Sequence, residues 1–162
     1  MQRWAIISDD EKYRYILTRM WDLRRPRVCF VMLNPSTADG YEDDPTIRKC
    51  IGFAKTWDYG SLSVVNLYAS RCTDPKLMWK QNPFPVGKDN DHYIEQSVAE
   101  AQTVVAAWGS SIRDRVRVHQ VVRLVKNAMC LGITQKGMPR HPLYVSYATP
   151  LSPYLRDGAF TG

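Results

Sequence analysis

Apolar residues in this chain fall into two kinds of block, short continuous runs and longer segments in which they recur every three or four positions. The clearest run is Val-Cys-Phe-Val-Met-Leu at 28–33. It is too short for a membrane span, and its β-branched and aromatic residues predict a strand buried on both faces. Asn34-Pro35 ends it, because proline brings no N–H to a ladder, and the chain enters a polar turn at 36–40. Asp44-Pro45 predicts a helix start, with Ile47, Cys50, Ile51 and Ala54 on one face and Gly60 as the stop. A second strand follows at 61–68 and carries Asn66 near its end.

The segment 69–87 is loop-rich, with a short helical piece around Leu77-Met78-Trp79. Asp89-Asn90-Asp91 opens a helix reaching Ala101, a strand at 103–108 ends in Trp108-Gly109, and 112–126 is helical with Val118, Val121, Val122 and Val125 on one face. The last predicted strand is 128–134. Before all this, 4–8 and 13–21 predict an N-terminal β-hairpin around a turn at 9–12, followed by an arginine-rich linker to residue 26; 145–162 reads as an extended tail packed over the sheet. Strands alternating with helices over short connections predict a single α/β domain across 1–162. Its expected architecture is a three-layer α/β/α sandwich with a short, mainly parallel central sheet.

Composition narrows the function classes. Lys and Arg outnumber Asp and Glu by 22 to 16, a net charge of +6, which favours polyanionic partners such as nucleic acid or nucleotides. The four cysteines are dispersed, without a Cys-x-x-Cys pair, and read as small core hydrophobes of a reduced, cytoplasmic protein. No signal peptide or membrane span is expected. No cofactor is predicted, and His92, His119 and His141 lack metal-ligand spacing.

Parallel strands bring their carboxyl ends to one edge, where open α/β sheets place ligands. Four polar groups are predicted there: Asn34, Asn66, the Trp108-Gly109 turn, and the loop holding His141 between Pro139 and Pro142. A buried Asn66 reads either as a structural bridge or as an amide that reads a base edge. Arg71, Lys76 and Lys80, interleaved with Trp79 and Phe84, are candidates to follow a phosphate backbone; the alternative is a loop whose aromatics cover the core. The glycine spacing at Gly132 and Gly137 is not a phosphate loop, since Met138-Pro139 follows it.

Met32-Leu-Asn-Pro-Ser-Thr-Ala-Asp39, Asp44-Pro-Thr-Ile-Arg48, Val65-Asn-Leu-Tyr68, Ala107-Trp-Gly109 and Arg140-His-Pro-Leu-Tyr144 resemble a bacterial and phage family catalogued as domain of unknown function 1643. The order Leu33-Asn34-Pro35, Val65-Asn66, Ala107-Trp108-Gly109, His141-Pro142 is also similar to the uracil-DNA glycosylase superfamily. That likeness implies hydrolysis of the N-glycosidic bond of a modified or damaged base. Asn34 would position water and His141 would stabilise the departing base. Pro35, Ser36, Asn66, Tyr68, Trp108, Gly109 and Leu143 would contact the ligand, and Arg140 would join Arg71, Lys76 and Lys80 on the backbone. Trp57, Tyr59 and Tyr68 are candidate stacking platforms. Leu143-Tyr144 stands where the glycosylases carry Ser-Pro. Two alternatives use the same pocket, a noncatalytic binder of a base, nucleotide or nucleic acid and another nucleotide-processing enzyme.

Overall fold

The computed structural model describes residues 1–36 and 40–154. Seven strands form one mixed sheet: β1 (Gln2–Ile7), β2 (Arg14–Met20), β3 (Arg27–Met32), β4 (Ser61–Asn66), β5 (Thr103–Ala106), β6 (Met129–Cys130) and β7 (Ser152–Pro153), in the order β1-β2-β4-β3-β5-β6-β7. The central neighbours β4-β3, β3-β5 and β5-β6 are parallel, while β1-β2, β2-β4 and β6-β7 are antiparallel. Four helices complete the described elements: α1 (Pro45–Thr56), α2 (Pro75–Gln81), α3 (Asn90–Glu100) and α4 (Arg115–Leu124).

The continuous apolar run that predicts β3 is explained by its position. β3 lies between β4 and β5 and is covered on both sides. Val28, Phe30 and Met32 pack with Ile47, Cys50 and Phe53 of α1, whereas Cys29 and Val31 share a cluster with Ile94 of α3 and Val118 and Val121 of α4. α1 starts where the sequence places it, with the Asp44 Oδ1 accepting the Ile47 N–H at 2.8 Å and Pro45 in the first turn.

Several elements differ from the sequence expectation. The sheet is mixed rather than mainly parallel: the N-terminal hairpin forms as expected, but β2 pairs antiparallel with β4 and thereby extends the main sheet, and β7 adds a further antiparallel pair at the other edge. Residues 14–19 of the hairpin are all buried, including Arg14, Thr18 and Arg19, so the polar positions do not mark a wet face. α4 begins later than expected, at Arg115, behind the Asp114 cap. Arg117 is buried, donating to the Leu67 carbonyl at 2.7 Å and to Asp91 at 2.7 Å. β6 is shorter than the predicted strand, and the segment after it forms a loop closed by an Ile133–Pro139 bridge. Part of the expected tail is a strand, β7, and Tyr154 beside it is buried; the predicted turn residues Thr37, Ala38 and Asp39 and the chain beyond 154 lie outside the described residues. Among the described residues no helix is long and apolar enough to cross a membrane.

The approach to α1 is fixed by charge. Arg19, fully buried, donates from Nε to Asp43 at 2.8 Å and from its terminal nitrogens to the carbonyls of Thr18 and Glu42. Removing the carboxylate leaves a buried guanidinium without this counter-charge. Asp43→Ala is therefore expected to cost about 3 kcal/mol. In urea unfolding the midpoint should fall with no change in slope.

Candidate functional site

β4 and β5 flank β3 on opposite sides. The connection leaving β3 runs through α1 on one face of the sheet, and the connection leaving β4 returns through α2 and α3, with α3 on the other face. The chain paths diverge at the carboxyl end of β3, the place where such sheets open a crevice. A cleft of about 550 Å³ lies there. Its walls come from the end of β3 (Asn34, Ser36), the end of β4 (Asn66), the turn after β5 (Trp108, Gly109, Ser110, Ser111), the loop after β6 (Arg140, His141, Leu143, Tyr144), the head of α1 (Asp44, Thr46) and Arg14 of β2.

Asn66 is 1 % exposed, and its Nδ2 is buried without a hydrogen-bond partner. Its backbone is held firmly. It is in register with Met32, and its carbonyl accepts from Nδ2 of the fully buried Asn90 at 2.9 Å. A buried donor left unpaired costs about 1–3 kcal/mol, a cost that a ligand acceptor in the cleft relieves.

Asn34 is held differently. Its Nδ2 donates to the Pro35 carbonyl at 3.1 Å and the Cys72 carbonyl at 2.6 Å, while the Cys72 N–H returns a bond to the Pro35 carbonyl at 3.0 Å. The two carbonyls fix the orientation of the amide, so Asn34 offers the cleft its Oδ1 acceptor.

His141 caps a single 3-10 turn at Pro142–Tyr144, its Nδ1 accepting the Leu143 N–H at 3.2 Å. The neutral ring therefore carries its proton on Nε2, a donor. Burial holds the imidazole below its ordinary value of 6.5, with the Asp44 carboxylate acting in the opposite direction. Gly109 sits at φ +75°, and a Cβ there would meet the Cβ of His141 at 3.3 Å, so this turn approaches the histidine as closely as a glycine allows. Trp108 is buried, its Nε1 directed at the Met138 sulfur.

Of the residues that the sequence nominates, Asn34, Ser36, Asn66, Trp108, Gly109, Arg140, His141 and Leu143 converge on the cleft. Others lie elsewhere. Pro35 is buried and is not part of the lining. Tyr68 packs edge-on to Trp79 at 4.7 Å, and burial pushes its phenol well up. Trp57 stacks on Phe30 and Tyr59 bonds to Thr103, so none of the three candidate platforms faces the cleft. Arg71 donates to the Glu11 carbonyl, and Lys76 and Lys80 are exposed on α2, of which only Pro75 contributes to the lining.

Sequence reasoning misses Arg14 and Asp44. Arg14 is 2 % exposed; burial lowers its guanidinium to about 10 while Asp44 opposes the shift. Asp44 reads from the sequence as a helix cap, which it is. It also lines the cleft and accepts a hydrogen bond from the Ser36 hydroxyl. The signal available in advance is that the cap falls within a dozen residues of the β3 terminus, on the same sheet edge. Among the described residues no group of three or more His, Cys, Asp or Glu is placed to hold a metal ion.

The family described as protein of unknown function (DUF1643) matches residues 14–143. The chain belongs to that family. No curated protein and no solved structure matches it. The DUF1643 span begins at Arg14 and ends at Leu143, so it takes in every described lining residue except Tyr144 and leaves out β1 and β7.

A pH dependence follows from the histidine cap. Protonation would put a second donor opposite the Leu143 N–H, which agrees with the lowered imidazole value. The unfolded chain thus binds the proton more readily. Stability is full above about pH 6.5 and declines as pH falls through the lowered folded value. His141→Asn keeps a capping acceptor but does not titrate. Melting temperature followed from pH 7.5 to about 5 should fall more steeply for wild type than for His141→Asn.

Proposed function

We propose that this protein processes nucleobases, hydrolysing the N-glycosidic bond of a modified or damaged base as a DNA glycosylase does. The observation that carries the reading is the buried, unpaired Asn66 amide in the wall of a cleft that also holds His141 with its Nδ1 already committed. Two donors and the Asn34 Oδ1 acceptor around a cavity of this size suit a flat heterocycle with carbonyl oxygens. Helices on both faces of a mixed sheet with a parallel core are compatible with the α/β/α layering of the uracil-DNA glycosylase superfamily. The motif order Asn34-Pro35, Asn66, Trp108-Gly109, His141-Pro142 agrees with it.

In this reading Asn66 reads the base edge. As the glycosidic bond lengthens, negative charge gathers on the base, and the His141 Nε2–H meets it. Asn34 accepts a hydrogen bond from the attacking water. Loss of a charge-stabilising donor such as the His141 Nε2–H costs about 100- to 1000-fold in rate. His141→Ala should lower base release by that factor and Asn34→Ala should abolish it. The assay is incubation with oligonucleotides carrying uracil, hydroxymethyluracil and other altered bases, followed by alkaline strand cleavage. Wild-type rates in both variants would remove this mechanism.

The distribution of charge favours a second reading. Three of the four candidate backbone contacts, Arg71, Lys76 and Lys80, lie outside the cleft. A free nucleotide needs no such track. Base release from nucleotides but not from oligonucleotides would identify a nucleotide-processing enzyme, and salt-dependent binding without turnover would identify a noncatalytic binder.

A further inference from the structure

Resting on the reading of the cleft as a site of N-glycosidic hydrolysis, we propose that Asp44 is the general base that takes a proton from the attacking water. Asn34 can orient a water, but an amide oxygen does not accept a proton at neutral pH, and its nitrogen is already held by two backbone carbonyls. The site thus needs a carboxylate. Asp44 is the only one among the described lining residues.

Two elements aim it. The Ile47 N–H, in the first turn of α1, holds Oδ1 at 2.8 Å, and the hydroxyl of Ser36, two residues beyond Asn34, holds Oδ2. Each oxygen keeps a further lone pair, so these bonds fix the group without exhausting it as an acceptor. Its charge bears on both Arg14 and His141, which line the same cleft. A cap needs only the Ile47 N–H. The bond to Ser36 and the place in the cleft wall are what capping leaves unexplained.

The water oxygen bonds to the anomeric carbon, one water proton passes to Asp44, and the carbon–nitrogen bond breaks with its electron pair going to the base. The base anion, hydrogen-bonded by His141 Nε2–H, takes a proton from solvent. Asp44 returns its proton to solvent. The net change is addition of one water across the glycosidic bond, giving free base and a sugar hydroxyl.

Asp44→Asn separates base from cap, because asparagine caps a helix as well as aspartate does. For the variant, kcat for base release should fall about 100-fold or more. KM should stay within about threefold, and the melting temperature should fall less than in Asp44→Ala, the part it does lose coming from the counter-charge to buried Arg14. Asp44→Ala should melt lower, and added formate should raise its rate without restoring its melting temperature. Active wild type with an equally active Asp44→Asn would overturn the role of Asp44 alone. A rate loss in Asp44→Asn with a melting temperature as low as that of Asp44→Ala would reduce the residue to a cap. Wild type that releases no base from any oligonucleotide or nucleotide would overturn the parent reading and this proposal with it.

Discussion

The cleft depends on the exchange of hydrogen bonds between Asn34-Pro35 and Cys72. A strand that ends in proline loses its ladder partner at once, and the loop beyond it would otherwise be free to swing. The Asn34 amide and the Pro35 carbonyl instead clasp both backbone groups of Cys72, which lies in the loop after β4. This clasp joins the ends of two parallel neighbours across the cleft floor. It also decides what Asn34 can do, since its nitrogen is spent and only its oxygen remains for a ligand.

Around that floor, buried charges hold the walls. Arg19 ties the approach to α1 through Asp43, and Arg117 ties α4 to α3 and to the end of β4 through Asp91 and the Leu67 carbonyl. Each guanidinium is taken out of water and satisfied by backbone and carboxylate oxygens together, the condition under which a buried charge is tolerated. Their effect is to position groups that would otherwise fray. Asp44 follows directly after Asp43, and Asn66 precedes Leu67. The polar groups of the cleft are thus placed by a rigid frame, which lets an unpaired amide persist in its wall.

Much of this is legible in the sequence because the responsible physics is local. The apolar run at 28–33, the Asp44-Pro45 start and the valines of α4 each carry their own periodicity or cap, and the convergence of Asn34, Asn66, Gly109 and His141 follows from parallel strands sharing an edge. What escapes is decided at long range. Arg14 and Arg19 look like the wet side of a hairpin, yet both are buried: Arg19 lies where β2 pairs with β4 and meets Asp43, and the Arg14 backbone is bonded to Ala69 in the loop after β4. Arg117 looks like the polar side of a helix until Asp91 and the Leu67 carbonyl meet it. The tail is written as extended chain, and only the open edge of β6 turns part of it into β7. Asp44 escapes for a different reason. Its capping role is sufficient to explain it in sequence, so its second place in the cleft leaves no separate mark.

The central claim is that the Asn66 side chain is the recognition donor of a nucleobase site. The direct measurement is the side-chain amide resonance of Asn66 by nitrogen-15 NMR, assigned with Asn66→Asp and followed during titration with free bases, nucleosides and nucleotides. A saturable downfield shift of that amide, with one class of base tighter than the rest, is the predicted result. An amide that stays unmoved while another residue of the cleft reports binding, or while no base binds at all, would contradict the account.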